Sequence, residues 1–205
     1  EAAAKLKPRK PASFHWGDRF AAYEAITHFA KALGAARSGN TIAAQRAIRE
    51  LGTLHDVVAQ TSAYWANQIK IQEISAQAWL ALEQGKQVMA LSLMQRAAGL
   101  EASTVKHATT PGEVLPAREL LGDMLLKLER PEEALPEYAA ALERSPNRFN
   151  SLYGAGRSAE LAGNEKEAVA YYLKLLEVAD QADTERPRLR HARRVLDQGF
   201  ARRSE

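Results

Sequence analysis

The stretch LPARELLGDMLLKLERPEEALPEYAAALERSPNRFNSLYGAGRSAELAGNEKEAVAYYLKLLEVAD, Leu115 to Asp180, repeats itself. Gly122 recurs as Gly156, Ala134 as Ala168, Tyr138 as Tyr172 and Ala141 as Leu175, each 34 residues later, with Leu121 answered by Ala155 and Leu125 by Ala159. A period of this size decides the architecture, because each unit is one supersecondary element that buries its apolar face only by stacking on a neighbour. Both units follow one plan: an apolar helix (Leu115 to Leu128; Asn150 to Leu161), a short polar turn (Glu129-Arg130-Pro131; Ala162-Gly163-Asn164) and a second helix. Pro131 is tolerated in the first turn of the helix it opens, and Gly163-Asn164 offers the left-handed conformation that ends helices. Ser145-Pro146-Asn147 then stops the second helix of the first unit, since proline disfavours helical geometry in the residue before it.

The pattern of a small residue at the eighth position, alanine at the twentieth, an aromatic at the twenty-fourth, a small or apolar residue at the twenty-seventh and proline near the thirty-second resembles the tetratricopeptide-repeat family. Gly122, Ala134, Tyr138, Ala141 and Pro146 meet all five positions; Gly156, Ala168, Tyr172 and Leu175 meet four, with Asp180 in place of the terminal proline. The physical need is shared: small residues let paired helices approach closely while the aromatic fills the wedge between units.

Two looser units precede these. Around Gly85, helix Ile71 to Leu82 and helix Gln87 to Leu100 put Ala78, Ala90, Met94 and Ala97 at the matching places; around Gly39-Asn40, helix Ala21 to Arg37 and helix Thr41 to Ala59 put Ala32, Ala44, Ile48 and Leu51 there. Ala44 to Ala90 is 46 residues and Ala90 to Ala134 is 44, so about 12 and 10 residues exceed the 34-residue period. The first excess is expected to lengthen the helices around Thr61 to Asn67, the second to form the loop Ser103 to Gly112, where Thr109-Thr110-Pro111-Gly112 is strong loop chemistry. From Thr184 to Arg203, Leu189, Ala192, Val195, Leu196 and Phe200 fall near the spacing of one helical face with arginines opposite, which reads as the polar-backed cap a repeat stack needs. The expected fold is therefore all-α: a right-handed α-solenoid of about four such helical hairpins over residues 18–182, repeats near 21–60, 62–102, 115–146 and 149–180, then a basic capping helix at 183–205.

Residues 1–17 read as an extended or spacer-derived segment, with Pro8 and Pro11 interrupting helix and Glu1-Ala2-Ala3-Ala4-Lys5 matching a helical spacer repeat. The sequence begins without methionine, so a signal or further repeats upstream are compatible with it. The run His28 to Gly39 and the segment Pro146-Asn147-Arg148-Phe149 resemble the C-terminal half of longer bacterial proteins of this family whose function is undefined. With 46% hydrophobic and 26% charged residues the chain sits in the globular range, and its alanine, leucine and glutamate content favours helix. No apolar run approaches the roughly 18 residues of a membrane span, so a soluble protein is expected, cytoplasmic, or periplasmic if a signal precedes it. Cysteine is absent, which excludes disulfides and thiolate metal sites.

Nothing in the sequence points to catalysis or a cofactor. It contains no phosphate-cradling glycine loop, no metal-spaced His/Glu helix and no nucleophile elbow, and His15, His28, His55, His107 and His191 are scattered. Glu132-Glu133 and Glu165/Glu167 open second helices, where they favour the helix dipole. Trp65, Tyr64 and Trp79 read as core rather than as an exposed aromatic patch. Lys106-His107, in the long loop, is a weaker ligand candidate. A net charge of +3 is small for a protein that neutralises phosphates; Arg186, Arg190, Arg193 and Arg194 could meet nucleic acid, but no aromatics interleave them, and a solvated cap face is favoured.

The resemblance implies a non-catalytic protein–protein interaction module that holds a peptide or partner surface in a concave groove lined by the first helix of each hairpin, as scaffold or assembly factor. Carried onto this sequence, the groove positions are Asn150, Tyr153, Arg157 and Glu160 on the last hairpin, Glu119, Asp123 and Lys127 on the one before, and Ser75, Trp79 and Glu83 on the second. Tyr153 and Arg157, four apart, would offer a ring and a fork of donors to a peptide carboxylate or backbone. The lysine-and-asparagine pattern of the family's chaperone-tail clamps is not met, since Phe29 and Leu33 or Ser75 and Trp79 stand there, which disfavours an EEVD-type tail. The alternative is an accessory subunit held in a stable complex by its outer faces. Exposed ends of such stacks also allow a homo-oligomer.

Overall fold

The computed structural model describes residues 1–7, 17–105, 113–184 and 186–201. Among them all extended regular structure is α-helical: α1 (Ala21–Arg37), α2 (Thr41–Ala59), α3 (Ala63–Glu83), α4 (Gln87–Ala102), α5 (Ala117–Lys127), α6 (Pro131–Arg144), α7 (Phe149–Leu161), α8 (Glu165–Val178) and α9 (Pro187–Ala201). The chain divides into two compact units, residues 1–117 and 118–205. Lys106-His107 and the whole of Thr109–Gly112 lie outside the described residues, as do Pro8, Pro11 and His15.

Within each of the four hairpins the turn is built the same way. Asn40, Lys86, Arg130 and Asn164 donate their backbone N–H groups to the carbonyls of Ala35, Ala81, Leu125 and Ala159 at 2.8–2.9 Å, and Gly39, Gly85, Glu129 and Gly163 donate to Ala36, Leu82, Leu126 and Glu160. These are the paired bonds of a Schellman ending, which requires a left-handed residue just past the helix. Gly39, Gly85 and Gly163 supply it at φ of 78°, 74° and 76°; Glu129 does so at 58° without the freedom of glycine. The second helix starts at once, capped by the Asn40 side chain, which accepts from Ala43 N–H, and by that of Asn164, which accepts from Glu167 N–H. At α6 the opening role passes to Pro131, with Glu132 and Glu133 in the first turn.

In residues 1–117, α3 is the centre: α1, α2 and α4 all pack on it. It begins at Ala63, eight residues before the expected Ile71, because Ser62 caps it through Trp65 N–H. The first excess of sequence therefore lengthens α2 and α3 to 19 and 21 residues on either side of a turn at 60–62. The N-terminal segment departs from the expected extended chain: Ala3–Lys5 form a 3-10 turn packed on α1. A Cβ at Gly34 would lie 2.7 Å from the Ala4 backbone nitrogen, so the approach depends on that glycine.

In residues 118–205 the core is organised by tyrosines. The Tyr138 ring would meet a Cβ at Gly122 at 2.7 Å and one at Gly154 at 2.3 Å, and the Tyr172 ring one at Gly156 at 2.6 Å. Both rings are fully buried. Each fills the space its glycines leave, and Gly154, which the repeat register did not single out, closes the second side of the first wedge. α5 starts at Ala117 rather than Leu115, since Leu115 precedes Pro116 and is held out of helical geometry. α9 lays Leu189, Ala192 and Leu196 against Leu152, Ala159, Tyr172 and Leu175, with Val195 half-buried beside them. This is the expected capping face; the side chain of Phe200 lies outside the described residues.

Candidate functional site

The four groove positions on α7 stand one turn apart, and the structure brings them together with side chains of α8 and α9. Glu160 is the hub: one carboxylate oxygen accepts from Arg157 at 2.7 Å, the other from the Tyr172 hydroxyl at 2.6 Å and from His191 Nε2 at 2.9 Å. Burial pushes the Glu160 carboxyl up, but those three donors outweigh it and hold its pKa below the ordinary carboxylate value. Tyr153, Tyr172 and His191 form a ring cluster with centroids 5.8–6.1 Å apart, His191 edge-on to both tyrosines. Arg188 lies over the outer face of Tyr153, 5.1 Å from its centroid, and donates to the Asn150 side-chain oxygen at 2.8 Å.

The electrostatics around Tyr153 are lopsided. Burial raises its phenol pKa, while Arg157, Arg188 and Arg194 all pull it down and Glu160 stands against them. Arg188 lies on the half-buried ring and Arg157 and Arg194 also act on it, against the single carboxylate of Glu160, so its surroundings carry a positive excess; Arg188 and Arg194 are themselves exposed. Arg188, His191 and Tyr172 were not among the residues expected here. Tyr172 read only as the aromatic of the repeat register, and Arg188 and His191 lie on the arginine-rich last helix, which read as a solvated face; only packing shows that this face turns back onto α7.

Other expected groove residues have different fates. Glu119 is 2% exposed and inward, accepting from Arg148 Nε at 3.0 Å and from the Ser151 hydroxyl, so it ties α5 to the start of α7 instead of facing a ligand. Asp123 is half-buried and accepts from the Tyr138 hydroxyl at 2.7 Å; Lys127 is exposed. Trp79 is 2% exposed with Arg37 stacked 4.1 Å over its ring, and Ser75 is buried with its hydroxyl bonded to the Ile71 carbonyl. Ser75 and Trp79 are thus corrected from groove to core. The reason is α3's central place: packed by three helices, it has no free face at that level, and of its groove set only Glu83 stays exposed. Trp65 and Tyr64 are half-buried and stack edge-on.

Among the described residues no group of three or more His, Cys, Asp or Glu could hold a metal ion, and no helix is long and apolar enough to cross a membrane.

No curated protein matches the chain in sequence. Solved structures share its fold: MamA of AMB-1, at 13% identity and a TM-score of 0.52 over 89% of this chain and 90% of that one, and a Podosopora anserina putative kinesin light chain with nearly identical TPR-like repeats, at 16% identity and 0.57 over 92% and 88%. Residues 115–148 and 149–181 each match the family profile described as tetratricopeptide repeat. Residues 115–181 thus carry two tetratricopeptide repeats, and along most of its length the chain shares the fold of the two solved structures.

Proposed function

We propose that the chain is a non-catalytic protein–protein interaction module, a scaffold or assembly factor, that holds a carboxylate-bearing peptide segment of its partner on the α7 face around Tyr153. The observation that carries this reading is the field of Arg157, Arg188 and Arg194 on one half-buried tyrosine. An extended peptide would stack an apolar or backbone surface on the ring and place an acidic side chain or C-terminal carboxylate between Arg157 and Arg188, where forked donors give bidentate bonds. Glu160 positions Arg157 for this, and Asn150 positions Arg188. Asp123 and Lys127 on α5 are secondary contacts in the same reading.

The test is affinity capture from lysate, comparing the intact protein with a Tyr153→Ala/Arg157→Ala variant whose helicity is checked by circular dichroism. Loss of a partner in the variant, with the partner re-bound by a synthetic segment only while its carboxylates are intact, supports the reading. A partner captured equally by both proteins refutes it. The alternative, attachment through outer faces, is favoured by one specific feature of residues 1–117: aliphatic side chains left exposed on the second helices of both hairpins, Ile42 on α2 and Val88 and Met89 on α4.

A further inference from the structure

The second helices of the four hairpins differ at one register position, two residues before the buried alanine of each. That position is Ile42, Val88, Glu132 and Lys166 in chain order. The last two are charged, as a solvated helix start should be, whereas Ile42 is 72% and Val88 85% exposed, with Met89 beside it at 55%. Val88 and Met89 border two adjoining depressions, of about 790 and 450 Å³, that share Met89 and Leu93. The smaller is a groove floored by Leu80 and Ala81 of α3, walled by Ile48 of α2 and by Met89 and Leu93 of α4, and rimmed by glutamines. The charges of the two depressions have one sign: Arg49 lines the smaller on its α2 side and Lys86 the larger at the start of α4, and no Asp or Glu lines either. Arg49 is exposed, and the Lys86 ammonium donates to the neutral Gln84 side chain.

We propose that this groove docks an acidic amphipathic helix of a partner protein. Leu80 and Ala81 stand between Gln77 and Gln84, which span about 10 Å of α3, and Met89 stands one turn from Leu93 on α4, so the groove has the length of about two turns of a bound helix. Aliphatic side chains of that helix seat on Ile48, Leu80, Met89 and Leu93, and its flanking carboxylates meet Arg49 and Lys86. A basic helix is rejected by the same two cations, which supply specificity more than affinity. Tyr153 lines neither depression, so neither proposal depends on the other.

The experiment uses the full chain and fluorescein-labelled helical peptides of about 18 residues with leucine at one-turn intervals, flanked in one peptide by glutamate and in its counterpart by lysine. Anisotropy titration is expected to show the acidic peptide binding at least about tenfold more tightly than the basic one. Met89→Glu, at an exposed position that leaves the fold intact, removes that binding, while Arg49→Glu/Lys86→Glu reverses the preference. All titrations are made in the Tyr153→Ala/Arg157→Ala background, so that carboxylates held at the α7 face do not contribute to the signal. Equal binding of the two peptides, no binding of the acidic one, or indifference to Met89→Glu overturns the proposal. So does a wild-type dimer in sedimentation that Met89→Glu dissociates, because the groove would then belong to a second copy.

Discussion

Residues 118–205 and residues 1–117 solve one packing problem with different pairs of side chains. In the later unit the eighth repeat position is glycine and the twenty-fourth tyrosine, as Gly122 with Tyr138 and Gly156 with Tyr172; in the earlier unit the same positions are Ala32 with Ile48 and Ala78 with Met94. All eight are buried. A ring needs the volume of the missing Cβ, and a smaller aliphatic partner leaves room for one, so the sum is held while the shares change. The looser repeats are therefore no less packed than the regular ones; they are packed to another recipe that tolerates helices of 16–21 residues in place of 11–14.

The comparison is broken most directly by removing a ring. Tyr138→Ala should cost about 3–5 kcal/mol, the range for emptying a buried aromatic site, and should also free Asp123 from its hydroxyl bond. Denaturant unfolding by circular dichroism measures the loss, and amide exchange shows where it falls: α5 to α8 should lose protection first. A loss under about 1 kcal/mol would mean that the wedge can collapse, against the glycine contacts on both sides of the ring.

A smaller and more discriminating effect comes from transplanting the earlier unit's recipe. Gly122→Ala alone sets a Cβ against the Tyr138 ring and should cost about 1–3 kcal/mol by overpacking, less the roughly 1 kcal/mol that alanine gains over glycine in a helix. Tyr138→Met alone leaves space behind. Together they recreate the Ala78/Met94 pairing, and the double variant should be more stable than the summed singles by about 0.5–3 kcal/mol. Strict additivity would show that the two positions do not share one volume.

Acid separates the units by the groups that titrate in each. Burial, helped by Lys31 and opposed by Glu50 and Glu24, lowers the pKa of His28 from 6.5, so the folded chain takes up its proton later than the unfolded chain does. Stability carried by neutral His28 is complete above that value and drains away as pH falls from 6.5 through the lowered pKa. Glu160 is also depressed in the fold, but from about 4.5, so its contribution persists until the pH drops below the ordinary carboxylate range. All three tryptophans, Trp16, Trp65 and Trp79, lie in residues 1–117. The denaturation midpoint followed by tryptophan fluorescence should fall between pH 7 and 5 in the wild type and flatten in His28→Gln, whereas the amide-exchange protection factors of α7 and α8 should hold over that interval. A tryptophan midpoint that stays level in the wild type would sink the assignment to His28.

How far these features could be read in advance depended on whether they were local. The four hairpins, their turns and their buried register were legible because a helix-ending glycine and an alanine at fixed spacing act within one hairpin, and a degenerate match such as Ala90 with Met94 is still a match in volume. The candidate site was legible only where it depends on one helix. Asn150, Tyr153, Arg157 and Glu160 fall on one face by spacing alone, but their ties to Tyr172, Arg188 and His191 join positions up to 38 residues apart. Glu119 and Trp79 were misplaced for a related reason: the groove register says which way a side chain starts, not whether Arg148 or three packed helices close over it. Glu101, buried and accepting from Ala117 N–H at the start of α5, carried no sequence signal, because its partner lies beyond the long loop.

The gentlest way to sharpen the comparison is at the turns, where the two units otherwise agree. Gly39, Gly85 and Gly163 occupy the left-handed position without a Cβ, and Glu129 occupies it with one. A side chain there crowds the following carbonyl and costs about 1–2 kcal/mol, part of which glycine returns as extra freedom in the unfolded chain. Glu129→Gly should therefore stabilise by about 0.5–1 kcal/mol, raising the denaturation midpoint without changing its slope. The same substitution is neutral if the exposed Glu129 carboxylate offsets the strain through contacts of its own, and Glu129→Asn distinguishes the cases, since asparagine tolerates the left-handed region and carries no charge. Equal gains from glycine and asparagine locate the effect in the backbone, and make the third hairpin's turn a strained copy of the other three; a gain from neither leaves glycine at 39, 85 and 163 as one workable choice of residue instead of a requirement of the turn.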